Sequence, residues 1–281
     1  MNLPKLACCN FINDVIKLRE FARDHGFAGV DWTFADPDFP LHPASARELQ
    51  QIRQALHPLE VRYHGAFAQI DLGDDDPAMA DRARRLLQAT CRLVAAVGGR
   101  FLTIHIGLGR DSTTDLGWER TLARLRDLVQ FARNARLRLC LENLAWGWTS
   151  RPDLYEKLLR KSGAWATLDI GHAVVCPAVV SQQFAVEDFI QPQPERFCNA
   201  HVYHVETEAG HLPPQRLEDI QNRLDLLSAL PLCDWWVLEL REEAALHITL
   251  PIVREYFVRR QEQVALSGDS ENAAYLLETR P

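Results

Sequence analysis

The feature that most restricts how this chain can fold is a repeat: short apolar runs alternate with longer segments whose apolar residues recur every three or four positions. That alternation is the signature of βα units feeding a parallel sheet. Eight runs qualify as strands: KLACCNF (5–11), AGVDWTF (28–34), EVRYHGAF (60–67), RFLTIHIG (100–107), LRLCLEN (137–143), WATLDIG (165–171), FCNAHVYHV (197–205) and DWWVLELRE (234–242). Helical spacing marks 13–25, 44–56, 77–97, 116–135, 152–161, 215–229 and 243–263. Asn13 and Ser45 are placed to cap helices, Pro77 follows Asp76 as a first-turn proline, and Gly98 and Gly99 end the third helical segment. The segment 174–196 lacks clear periodicity and reads as an irregular loop with room for one short helix.

The expected architecture is α/β, a single (β/α)8 barrel of the TIM type over residues 1–264, with a surface tail at 265–281. No linker divides the chain.

Bulk properties exclude several functions. With 31 Lys plus Arg against 38 Asp plus Glu the net charge is −7, and the whole-molecule field repels a polyanion. Nucleic acid is therefore not the expected partner. No apolar run reaches the roughly 18 residues of a membrane span, and MNLPKLACCNF lacks the sections of a secretory signal, so the expected location is the cytoplasm. The seven cysteines contain no C-x-x-C pair and sit mostly in apolar runs, as reduced, buried thiols do.

Polar, metal-competent residues fall late in successive strand runs, where a parallel barrel places its functional groups. His64, His105, Glu142, Asp169, His201 and Glu239 recur every 27 to 41 residues, one per βα unit. Any one alone is more commonly a satisfied polar group. Six converging on one axis would leave several buried charges uncompensated unless a cation joined them. His172, His204 and His211 lie just beyond these tips, whereas His25, His42, His57 and His247 read as surface or structural. Trp146 and Trp148, after Glu142, offer either an aromatic wall over a substrate or packing for a long loop.

The motifs VRYHGAF, LTIHIG, LENL, LDIGHA, NAHVYHV with GHLPP, and LELRE, over about residues 5–250, resemble the xylose isomerase-like barrel superfamily. That superfamily includes endonuclease IV, sugar isomerases and sugar epimerases. The resemblance implies that Glu142, Asp169, His201 and Glu239 match the four ligands of the epimerase branch's single ion, with His172 contacting substrate. In the endonuclease IV branch the same four join His64, His105, His172 and His211 around a zinc cluster. The D-x-H pattern of that branch has Ala209 at its aspartate position here, leaving Glu206 or Glu208 as the candidate replacement.

Two chemistries follow. A single-metal isomerase or epimerase would move a proton between carbons through Glu142 and Glu239, with no need for His64 and His105 as ligands. A hydrolase would use two ions, or three, with Glu142 bridging, and then His64 and His105 complete the second site. Imidazole and carboxylate ligands suit Zn, Mn or Fe, and no organic cofactor is expected. The reading favoured by the residues is hydrolysis of a small-molecule phosphodiester, catalysed through Glu142 and Glu239, with His172, His204 and Trp146 contacting a phosphorylated or sugar-like substrate. Cobamide-remodelling phosphodiesterases are one group with a similar combination of hydrolytic site and acidic surface. A non-catalytic ligand-binding barrel is the third alternative.

Overall fold

The computed structural model describes residues 3–66, 71–109 and 113–278, with side chains described through residue 263. Strands β1 (Lys5–Cys9), β2 (Gly29–Thr33), β3 (Glu60–His64), β4 (Phe101–Ile104), β5 (Arg138–Glu142), β6 (Trp165–Asp169) and β7 (Phe197–Val202) are followed by two short strands, β8 (Val205–Thr207) and β9 (Gly210–Leu212), and then β10 (Trp235–Leu238). Eight of these close into a parallel barrel in the order β1-β10-β7-β6-β5-β4-β3-β2, while β8 and β9 form a separate antiparallel hairpin. All eight runs expected as strands are strands, and the chain is a single (β/α)8 barrel.

Helices α1 (Val15–Asp24), α2 (Ser45–Leu56), α3 (Pro77–Ala96), α4 (Trp118–Asn134), α5 (Pro152–Ser162), α6 (Ile170–Val175), α7 (Pro177–Val180), α8 (Gln221–Ser228) and α9 (Glu243–Glu278) supply the outer layer. Their apolar stripes pack on the outward residues of the strands in one continuous core. Two caps differ from expectation. Asp14, not Asn13, caps α1 by accepting from the N–H groups of Ile16 and Lys17. Ser45 is already inside α2, after Ala44. Asp76 and Pro77 open α3 as expected, and Gly98 follows it at φ +74°. The segment read as an irregular loop contains the end of α6, all of α7 and two 3₁₀ turns, elements too short to show a 3.6-residue period. Helix α9 runs across the expected boundary at 264, through a stretch rich in Ala, Leu and Glu that favours helix.

The barrel interior is polar, and it is layered because each strand turns every second residue inward. At the floor, buried Arg62 donates to Asn199 Oδ1 (2.5 Å) and to Asp234 Oδ1 (2.9 Å), with its guanidinium 3.8 Å from the Phe101 ring centre and 4.6 Å from that of Trp235. Trp235 fits there because position 29 is glycine: a Cβ at Gly29 would stand 2.4 Å from the indole. Above it, Thr103, Thr167 and Asn199 form a hydrogen-bonded layer, with 2.9 Å between the two threonine hydroxyls. Two residues further along the same strands come His105, Asp169 and His201, at the C-terminal mouth.

Candidate metal centre

Strand ends deliver the cluster. His64, Glu142 and Asp169 are the last residues of β3, β5 and β6, His105 and Glu239 directly follow β4 and β10, and His201 is the penultimate residue of β7. Register places Asp169 directly beside His201. His64, Glu142, Asp169, His172, His201 and Glu239 are all buried, so an uncompensated charge there would carry a heavy desolvation cost.

Glu142 sits at the centre with its two oxygens facing different partners. Oε2 lies 2.9 Å from His64 Nε2 and 3.1 Å from His105 Nε2. Oε1 lies 3.2 Å from His201 Nδ1 and 3.6 Å from His172 Nδ1. His201 Nδ1 is also 2.9 Å from Glu239 Oε2 and 3.7 Å from Asp169 Oδ2. The ligand-competent atoms fall into three overlapping groups, each within 4.8 Å: His64, Glu142 and His201; Glu142, Asp169, His201 and Glu239; and Asp169, His172 and His211.

Backbone carbonyls fix the imidazoles. His64 Nδ1 donates to Gly65 O (2.8 Å), His172 Nδ1 to Asn143 O (3.1 Å) and His211 Nδ1 to Glu239 O (2.6 Å). In His64 and His211 this leaves Nε2 to face a carboxylate, the arrangement a metal ligand needs, whereas in His172 Nδ1 itself lies 3.4 Å from Asp169 Oδ2 and Nε2 is 4.0 Å from Glu206. Asp169 divides its carboxylate: Oδ1 caps α6 by accepting from His172 N (2.7 Å), and Oδ2 is buried without a hydrogen-bond partner among the described residues. Orphaned, buried acceptors of this kind fit a cation.

The electrostatics show imidazolium protons standing where cations would. For His201, burial disfavours the charged form, but Glu142 and Glu239 outweigh it and hold the ring well above its ordinary value. Burial likewise pushes Glu142 upward, yet His201 and His105 bring it well below the usual carboxylate range. Glu239, against its burial, is held down to about 2 by His201 and His211. Both carboxylates are therefore ionised acceptors at neutral pH.

The hairpin adds a group that sequence spacing does not show. Glu206 on β8 pairs in register with His211 on β9. Its Oε2 lies 3.0 Å from His211 Nε2 and 4.0 Å from His172 Nε2. Of the two candidate replacements for Ala209, Glu206 faces these histidines across the hairpin, whereas Glu208 is exposed. Tyr203 stacks on His211 at 3.8 Å and 5°, lying against Gly171, where a Cβ would come within 2.1 Å of its ring. The glycine of DIGHA is thus a packing requirement of the site.

The remaining expected residues divide. Trp146 reaches the cluster rim, with its ring 5.8 Å from that of His172. Trp148 packs on Trp118 instead (5.3 Å). His204 turns away: its Nδ1 accepts from Arg223 (3.3 Å) and its carbonyl from the same guanidinium (2.6 Å). Two supporting residues were not anticipated. Asn143 ties β5 to β6 by exchanging hydrogen bonds with the Asp169 backbone (2.9 and 2.8 Å). Arg223, buried, joins Ile170 O to His204 O. The first was signalled by its place in LENL; the second stands in a helix with no motif. All seven cysteines are buried and free.

A parallel barrel with a histidine and carboxylate cluster at the C-terminal ends of its strands, able to hold divalent metal, defines the class of protein. The chain belongs to the xylose isomerase-like TIM barrel family, which it matches over residues 19–246. It is similar to an uncharacterized protein of Methanocaldococcus jannaschii, 26% identical over 165 residues, 58% of this chain and 70% of that protein. Its fold is similar to that of a D-tagatose 3-epimerase-like protein (TM-score 0.72, 14% identity, 92% of this chain and 99% of the other). It is also similar in fold to endonuclease IV from Thermus thermophilus (TM-score 0.63, 18% identity, 91% and 100%). Among the described residues no helix is long and apolar enough to cross a membrane.

Proposed function

We propose that the protein is a metal-dependent hydrolase of a small-molecule phosphodiester. The observation that carries this reading is the division of Glu142 between two ligand groups, Oε2 toward His64 and His105 and Oε1 toward His201 and His172. A carboxylate so divided would suit the shared ligand of a pair of ions, and a one-ion proton transfer does not need His64 and His105 as ligands. In this reading His64, His105 and Glu142 would hold one ion, Glu142, Asp169, His201 and Glu239 a second, and His172, His211 and Glu206 a third. The mixed nitrogen and oxygen donors suit Zn, Mn or Fe. Such ions, when bound, activate water near neutral pH and stabilise charge on the phosphoryl oxygens.

The chain's own part is positional. Glu142 and Glu239 would stay ionised as ligands, the proton of the attacking water passing to the leaving alkoxide, and the carbonyl-anchored histidines hold their rings in place. Trp146 walls the rim beside His172 for the organic part of the substrate. The net charge of −7 supports a small substrate over a long nucleic acid.

A second reading, sugar epimerisation or isomerisation at one ion, is favoured by the compact four-ligand group Glu142, Asp169, His201 and Glu239, which is complete without the other histidines. Metal content and turnover separate the two. Protein loaded with zinc or manganese should carry at least two ions per chain and hydrolyse bis(p-nitrophenyl) phosphate. One ion per chain, no diester turnover and measurable C3 exchange in a ketose panel would reverse the assignment.

A further inference from the structure

The three ligand groups are not held in the same way. Those that share Glu142 stand on strands of the closed barrel or directly after them, where neighbouring strands fix their spacing. The third takes Asp169 from the barrel, but its other members lie outside that sheet. His172 stands on α6, and Glu206 and His211 stand on β8 and β9, which form a sheet of their own. The bond from His211 Nδ1 to Glu239 O ties this hairpin to the barrel rim, yet nothing in the strand pairing sets its distance from α6.

Arg223 of α8 supplies the missing tie. Its side chain is buried, and Nη1 donates both to Ile170 O (3.1 Å), at the first residue of α6, and to His204 O (2.6 Å), where the chain passes from β7 into the hairpin. Nη2 donates to His204 Nδ1 (3.3 Å) and to Asp219 O, in the 3₁₀ turn that leads into α8. One planar fork thus joins α6 to the root of the hairpin and both to α8. Burial lowers its pKa against the pull of Asp169 and Tyr203, to about 10, so Arg223 remains a cation at neutral pH. A buried cation bonded to carbonyls carries a desolvation cost, and fixed geometry is what it can supply in return. Its charge does not help the site, because a cation near Asp169 repels the ion that Asp169 would hold.

We infer that Arg223 is the positioning residue of the third ligand group: by holding Ile170 and His204 together it sets His172 against Glu206 and His211, and the ion bound there depends on it while the ions at Glu142 do not. The inference rests on the third ion proposed above and not on the reaction assigned to the site.

Stepwise zinc constants can be measured on the full chain by competition with a chromophoric chelator, with melting of the metal-free protein as the check on folding. The wild type should take up three ions. Arg223→Gln should weaken one of them about 10–100-fold and leave the other two within about threefold. Arg223→Lys keeps the charge but reaches fewer of the carbonyls, so its effect should be intermediate; it also carries the test if the glutamine variant does not fold. Field and geometry predict opposite signs, since removing a positive charge near Asp169 would by itself tighten the third ion. An unchanged or tighter third constant, an equal loss at all three sites, or a wild type that binds no third ion overturns the inference. Diester turnover is read separately on the wild type, and its absence counts only against the proposed reaction.

Discussion

Replacing Glu142 by glutamine preserves the side chain's shape and removes one negative charge from the middle of the cluster. In the metal-free protein that charge faces His64 and His105 at 2.9 and 3.1 Å and His201 at 3.2 Å. Removing one partner of a buried ion pair costs about 3–5 kcal/mol, because the other charge stays buried. Unfolding entropy of roughly 2.1 cal/mol/K per residue over 281 residues converts this to a fall in Tm of about 5–8 °C. In the loaded protein the same energy, taken from stabilisation of the reacting state, lowers kcat/KM by about 10²–10⁴. Scanning fluorimetry in chelator, elemental analysis after dialysis and diester turnover read the three quantities. A Glu142→Gln protein that keeps two ions per chain and turns over within tenfold of wild type would refute the shared-carboxylate reasoning.

Two further outcomes are expected. Burial lowers the pKa of His211, but Glu206 and Glu239 raise it more, to about 9 from 6.5. Its folded-state value lies above the unfolded one, so its contribution is complete below pH 6.5, is lost as pH rises through about 9, and amounts to roughly 3 kcal/mol. Urea unfolding of chelated wild type and His211→Gln should therefore differ most near pH 6 and converge above pH 9; a gap that widened with pH would contradict it. Gly171→Ala sets a Cβ 2.1 Å from the Tyr203 ring, and overpacking of this kind costs about 1–3 kcal/mol. It should also displace the stacked His211, so that the variant binds one ion fewer; full occupancy with unchanged stability would show that the ring contact is dispensable.

The strands and the six tip residues were legible because a period of two in a closed barrel leaves no choice of side. Once Thr103 and His105 share a strand face, and Thr167 and Asp169 another, the ligands must converge. What stayed hidden depends on register or direction. Glu206 meets His211 across a hairpin of three-residue strands, and nothing in the spacing of VETEAGHL distinguishes Glu206 from Glu208. His204 sits three residues from His201 yet turns to Arg223, because the chain leaves the strand at Val202 and the alternation that fixes side-chain direction ends there. Helix α6 spans six residues, too few for an apolar period, and is set by the Asp169 cap instead. Arg223 is a buried cation whose hydrogen bonds among the described residues go to carbonyls and a histidine, a role invisible without the fold.

The floor of the barrel has one more implication. With Arg62 clasped between Phe101 and Trp235 and bonded across to Asn199 and Asp234, the far end of the tunnel is stoppered. Whatever enters must leave by the door it came through. A spent molecule still lodged in the vestibule therefore blocks the next arrival, and inhibition by product should be overcome by raising the concentration of reactant.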